Sequence, residues 1–133
     1  TFYWPSLRKL IIGLVNEGLV PQLFAEGAYN DRLETISDIP KGRVVWWFDR
    51  TDMKRAKKTV GKVACLAGNV PSDLLCTGTP DEVKVYCKEL MDVAGVGGGF
   101  ILSTGAGIQG SRKENVKTMI EFCKEYGKYS RFN

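Results

Sequence analysis

The residues able to do chemistry in this 133-residue chain stand where apolar runs end. Glu26 follows Leu19–Phe24 and precedes Gly27. Asp49-Arg50 follows RVVWWF, Asn69 follows Gly68 behind the run Lys62–Ala67, and Ser103-Thr104 closes the run that starts at Phe100. Glu26 has the chemistry of a general base or a cation ligand; the alternative is a capping or surface carboxylate. Asp49 and Arg50 can hold a polar ligand or form an ion pair between neighbouring strand ends. Asn69 can orient an amide or carboxylate, or close its own turn. Ser103 and Thr104 can donate hydrogen bonds to a ligand. The chain has no histidine, so Ser103 has no imidazole to activate it as a nucleophile.

Gly105-Ala106-Gly107-Ile108-Gln109-Gly110 spells G-x-G-x-x-G. A dinucleotide site places that turn after the first strand of a βαβ unit, with an acidic residue about 20 positions on. Here it follows the last strand, and the chain reaches Ser130-Arg131 with no strand left to carry the acid. Gly105 and Gly107 therefore read as a tight strand-to-helix turn whose backbone amides can face an anionic ligand.

Cys65, Cys76, Cys87 and Cys123 include no C-x-x-C pair. Cys87 shares a helical face with Val83, Tyr86, Leu90 and Met91, and Cys123 with Val116, Met119 and Ile120. Both read as small buried hydrophobes, and the thiols as reduced, which sets the expectation of a cytoplasmic protein.

These residues need elements to hold them. Residues 5–17 have helical periodicity, with Pro5 in the first turn and Gly18 as terminator. Leu19–Phe24 predicts a strand and residues 30–38 a short helix capped by Asn30 or Asp31. Residues 43–48 are β-branched and aromatic without alternation, the mark of a strand buried on both faces. Either Trp46 or Trp47 faces a sheet interior; parity in such a run cannot decide which. Thr51 or Asp52 caps a predicted helix over 53–60 ended by Gly61. Lys62–Ala67 gives a third strand closed by Gly68-Asn69. Thr79-Pro80-Asp81-Glu82 is a capping box with proline at the first helical position, opening a helix to Ala94. Phe100–Ser103 is a fourth strand, and Ser111-x-x-Glu114 predicts a second capping box for a helix over 112–126. Strands alternating with helices imply parallel strands joined by right-handed crossovers, in one domain over 1–133.

Apolar residues at 44% and charged residues at 26% match an ordinary globular core and surface. No apolar run approaches the roughly 20 residues of a membrane span. Thr1–Pro5 lacks the basic and apolar regions of a signal peptide. The absent initiator Met suggests a trimmed terminus or a longer protein. Net charge is +4, but Lys54-Arg55 and Lys57-Lys58 fit one exposed helix face, and no basic stripe interleaves with aromatics. Nucleic acid is not an expected partner.

Three stretches resemble the uroporphyrinogen decarboxylase superfamily: Gly68-Asn69-Val70-Pro71, then Leu74-Leu75-x-x-Gly78-Thr79-Pro80-Asp81-Glu82-Val83, then Gly97-Gly98-Gly99-Phe100-Ile101-Leu102-Ser103-x-Gly105, with Glu114-Asn115-Val116 closing the pattern. The resemblance implies the C-terminal half of a (β/α)8 barrel, its site at the C-terminal strand ends. It further implies tetrapyrrole decarboxylation or, by motif style, corrinoid-linked methyl transfer, with a small-molecule, tetrapyrrole or corrinoid ligand and catalysis needing strands outside this chain. The remaining wall would come from an N-terminal half or from a second copy. The family's methyltransferases carry a zinc site whose matching positions here are Phe24, Glu26 and Ala106, so neither metal nor resident cofactor is expected. The substrate-binding candidates are Glu26, Asp49, Arg50, Asn69, Ser103, Thr104, Gly105 and Gly107. A non-catalytic open α/β ligand-binding module is the alternative.

Overall fold

The computed structural model describes residues 2–131. Four parallel strands, β1 (Gln22–Ala25), β2 (Val45–Phe48), β3 (Cys65–Val70) and β4 (Phe100–Thr104), lie side by side in chain order. Between and around them run α1 (Tyr3–Asn16), α2 (Leu33–Ile36), α3 (Met53–Lys58), α4 (Ser72–Thr77), α5 (Pro80–Ala94) and α6 (Lys113–Tyr126). The expected alternating α/β architecture is present, with one helix more than the sequence suggests.

Register explains the packing. Leu23, Trp46, Leu66 and Phe100 form one row across the sheet. Trp46, Leu66 and Phe100 are buried, with Trp4 of α1 and Tyr29 against the Trp46 ring. The adjacent row is Phe24, Trp47, Ala67 and Ile101. Phe24 is 43% exposed and Ile101 51% exposed, and the Phe24 ring packs tilted against Trp47 at 4.7 Å between ring centroids. One sheet face is therefore the core and the other an open apolar face. Trp46 is the core tryptophan; full burial of such a side chain contributes about 1.5–3 kcal/mol. α5 packs between α3 and α6 on the covered side, burying Val83, Cys87, Leu90 and Met91.

Several local expectations need correction. β3 does not close at Gly68-Asn69; it runs on to Val70, paired with β4 through Asn69↔Ser103 and Val70↔Thr104. Gly68 has φ +116°, and a Cβ there would overlap the Phe48 carbonyl oxygen, so the strand passes close to β2 at a residue with no side chain. α4 was not anticipated, because Gly-Asn and Val-Pro read as a loop. The helix over 30–38 is a 3₁₀ turn, Asn30–Arg32, followed by α2, and no side chain caps either segment. α3 begins on Asp52, whose carboxylate accepts from the Lys54 and Arg55 amides; a 3₁₀ turn, Val60–Lys62, takes up Gly61.

The two expected capping boxes fare differently. At α5, Thr79 Oγ1 accepts from Glu82 N at 3.3 Å while Glu82 Oε2 accepts from Thr79 N at 2.7 Å. At α6 no side-chain cap forms and the N-cap residue is Arg112. The Arg112 amide donates instead to Leu75 O, and Ser111 turns toward Cys76, so the contact with α4 replaces the box.

Candidate functional site

The C-terminal ends of the four strands lie at one edge of the sheet, and a cleft of about 660 Å³ opens there. β1 delivers Glu26, β2 delivers Asp49 and Arg50, and β3 delivers Asn69 to its wall. Parallel pairing is the reason: strands in register release their chain ends on the same side, so residues 26, 49 and 69 meet despite their separation in sequence.

Each of these side chains has a different degree of fixation. Asp49 Oδ2 accepts from Gly27 N at 3.0 Å, and the Arg50 amide donates to Gly27 O at 3.1 Å, which ties the ends of β1 and β2 together through backbone. Arg50 takes part in no ion pair among the described residues, so the Asp49–Arg50 stitch is not the arrangement adopted. Asn69 is 5% exposed, and its Nδ2 donates to Thr51 O at 2.7 Å. Asn69 Oδ1, itself buried, finds no partner among the described residues. Glu26 is exposed at the rim.

Ser103, Thr104, Gly105 and Gly107 have other places. Ser103 is half-buried beside Asn69 in the register but does not line the cleft. Thr104 is buried, its hydroxyl donating to Ala106 O at 2.6 Å and its carbonyl accepting from Trp47 Nε1 at 2.6 Å. Gly105 packs against Asp49: a Cβ on it would lie 2.8 Å from Asp49 Oδ1 and 2.9 Å from Asp49 O. Gly107 O accepts from Ser72 Oγ at 2.8 Å. None of these four residues lines the cleft, whereas Ala106 of the same turn does.

Sequence reading missed Thr51, Asp52, Asp73 and Tyr86, which also line the cleft. Thr51 is buried and its Oγ1 accepts from Tyr29 N at 3.0 Å. Asp73 arrives because β3 runs on and α4 starts at once, and the signal available for it was Pro71-Ser72-Asp73 as a helix opening. Tyr86 projects from α5, and its hydroxyl reaches Asn69 O at 3.5 Å, the weak limit of a hydrogen bond. Burial, with lesser help from the charges of Cys87 and Glu89, pushes the Tyr86 phenol above its ordinary pKa, so it remains a proton donor across the neutral range.

The three positions matching the family zinc ligands do not fit a metal. Phe24 is an aromatic packed against Trp47, Ala106 offers a methyl group, and only Glu26 carries a donor. One carboxylate is not a zinc donor set. Among the described residues no cluster of three or more His, Cys, Asp or Glu is arranged to hold a metal ion. No helix among them is long and apolar enough to cross a membrane.

Comparison with known proteins adds two findings. The model of the uroporphyrinogen decarboxylase (URO-D) family matches residues 1–126. A solved methyltransferase from Methanosarcina mazei superposes with a TM-score of 0.75 at 25% identity, over 95% of this chain and 36% of its own. The chain thus spans about a third of that protein's length. None of the curated proteins matches it.

Proposed function

The chain belongs to the uroporphyrinogen decarboxylase family, and from that premise we propose that it forms the strand-end substrate wall of a methyl-transferring enzyme. The likeness to the Methanosarcina methyltransferase over 95% of the chain is the observation that carries this reading. The site chemistry is compatible with it. Methyl transfer is a displacement whose rate depends on holding donor and acceptor in line, and this wall offers fixed positioning groups rather than a nucleophile. Asp49 is pinned by Gly27, and Asn69 by Thr51. Glu26 stands free at the rim, where it can take a proton from an acceptor. No step here runs through a protein-bound zinc.

The open apolar row of Phe24, Trp47 and Ile101 is the surface on which the remaining strands of such a barrel would close. An isolated soluble domain rarely leaves a sheet face of this kind uncovered. Catalysis in this reading belongs to the closed barrel.

The full protein mixed with methylcobalamin and a thiol or amine acceptor tests the reading. Loss of the methyl–cobalt absorbance with formation of the methylated acceptor is the expected result. Decarboxylation of uroporphyrinogen without any demethylation would assign the other chemistry of the family. Neither reaction, with ligand binding intact, would make this a non-catalytic binding module.

A further inference from the structure

A second recess, of about 540 Å³, lies between the start of α1 and the segment that leads from β1 into α2. It shares no lining residue with the strand-end cleft. Tyr3 and Trp4 come to it from α1, and Tyr29, Arg32, Thr35 and Ile36 from the segment after β1. Its volume falls within the roughly 300–1,000 Å³ of small-molecule sites.

The aromatic wall is fixed by the core. Trp46, 1% exposed, lies against Trp4 at 6.5 Å and against Tyr29 at 6.4 Å between ring centroids. The Tyr29 amide also donates to Thr51 Oγ1 at 3.0 Å. These rings are therefore in place before a ligand arrives, and little side-chain freedom is lost when it binds.

Arg32 gives the recess its sign. It is the one charged residue of the lining among the described residues, and the neighbouring Asp31 and Glu34 are not part of it. Its guanidinium lies over the Tyr29 ring, 5.1 Å from the centroid. It makes no ion pair among the described residues. Attraction to a ring face uses the charge of a guanidinium and leaves N–H groups for a carboxylate. The phenols do not oppose this. Burial first, and the neighbouring Tyr29 side chain second, push the Tyr3 phenol above its ordinary pKa, with the Arg32 charge acting the other way. Tyr3 is therefore neutral in the neutral range.

We infer that this recess binds a small aromatic carboxylate, its ring against Trp4 and Tyr29 and its carboxylate on Arg32. The site is separate from the cleft, whatever reaction the cleft serves. Arg32 repels a cationic ligand, and an aliphatic acid forgoes the ring-to-ring contacts.

Calorimetric titration of the full protein with benzoate, benzylammonium and cyclohexanecarboxylate separates the contribution of charge from that of the ring. Benzoate should bind saturably, more tightly than cyclohexanecarboxylate and at least about tenfold more tightly than benzylammonium. Arg32→Gln, at an exposed position, should weaken benzoate about tenfold, whereas Arg50→Gln in the cleft should leave it unchanged. Thr35→Arg, which adds a second cation to the wall, should tighten it, a gain that misfolding cannot mimic. Equal or tighter binding of benzylammonium or of cyclohexanecarboxylate overturns the inference. So does the absence of saturable benzoate binding, the result expected if other polypeptide of the full protein fills the recess. Benzoate binding indifferent to Arg32→Gln places the ligand elsewhere and overturns it as well.

Discussion

Single residues carry two kinds of demand in this molecule, and they separate cleanly by place. Asn115 is fully buried on α6, and its Nδ2 donates to Leu75 O at 3.0 Å and Gly78 O at 2.8 Å. It clamps the turn between α4 and α5 and lies outside the cleft wall. Asn115→Leu leaves Leu75 O with the Arg112 amide but strips Gly78 O of its side-chain donor. Denaturant melts should show a loss of about 1–3 kcal/mol, with ligand affinity unchanged; wild-type stability would remove the clamp. Cys87 is the second case. Burial, and to a lesser extent the neighbouring Cys123 charge, pushes its thiol up to about 12. A folded pKa above the unfolded value of 9.0 means that the native state holds the proton longer. Its contribution is complete below pH 9 and is lost as pH climbs toward 12, at up to about 1.4 kcal/mol per pH unit. Stability of wild type should therefore fall more steeply between pH 9 and 11 than that of Cys87→Ala. Equal slopes in the two proteins would exclude Cys87 as the source.

At the scale of elements, the same four-residue pattern behaves in two ways. Thr79-x-x-Glu82 closes a reciprocal box at α5, whereas Ser111-x-x-Glu114 closes none at α6. The difference lies in what waits nearby. The α6 entrance is held by the Arg112 amide on Leu75 O, and Ser111 is drawn to Cys76 at 3.9 Å. Thr79→Ala should cost about 1 kcal/mol. Ser111→Ala should stay within about 0.5 kcal/mol. Thermal melts of both variants measure the contrast, and equal losses would contradict the assigned caps. The hydrogen bonds that Glu82 accepts also hold its carboxyl below its ordinary pKa: from the Thr79 amide first, then from its hydroxyl. The box consequently holds to lower pH than an unbonded carboxylate would allow.

At the scale of the whole molecule, one face of the sheet is left open. Ile101 is half-exposed on the open face of β4, in line with Phe24 and Trp47. If barrel strands close over that face, Ile101→Ala in the full protein should cost about 2–5 kcal/mol, the range for a large-to-small change in a core. In residues 1–133 alone the same change should cost less than about 1 kcal/mol. Paired denaturation curves give both numbers, and a small cost in both would mean that the face stays open. Sedimentation then tells whether the covering strands come from the same polypeptide or from a second copy.

Sequence alone determined the alternation of strands and helices, the four parallel strands, the α5 cap and the family, because each rests on local periodicity, capping chemistry or a short motif. It also put Glu26, Asp49, Arg50 and Asn69 at strand ends, since an apolar run followed by polar residues and glycine marks such an end without any knowledge of the neighbours. What it could not reach depended on partners distant in the chain. The run Val45–Phe48 has no alternation, so only register against β1 and β3 sends Trp46 into the core and Trp47 to the open face. β3 continues through Gly68, a residue that signals a turn by itself, because β2 and β4 lie beside it to pair with. Tyr86 and Asp73 join the cleft through α5 and α4, whose placement follows from packing rather than from their own sequence. The orphan oxygen of Asn69 exists only because the Thr51 carbonyl, 18 residues earlier, captures the other end of its amide. Parallel strands bring together groups that the chain keeps apart, and their hydrogen bonds are settled only when the strands meet.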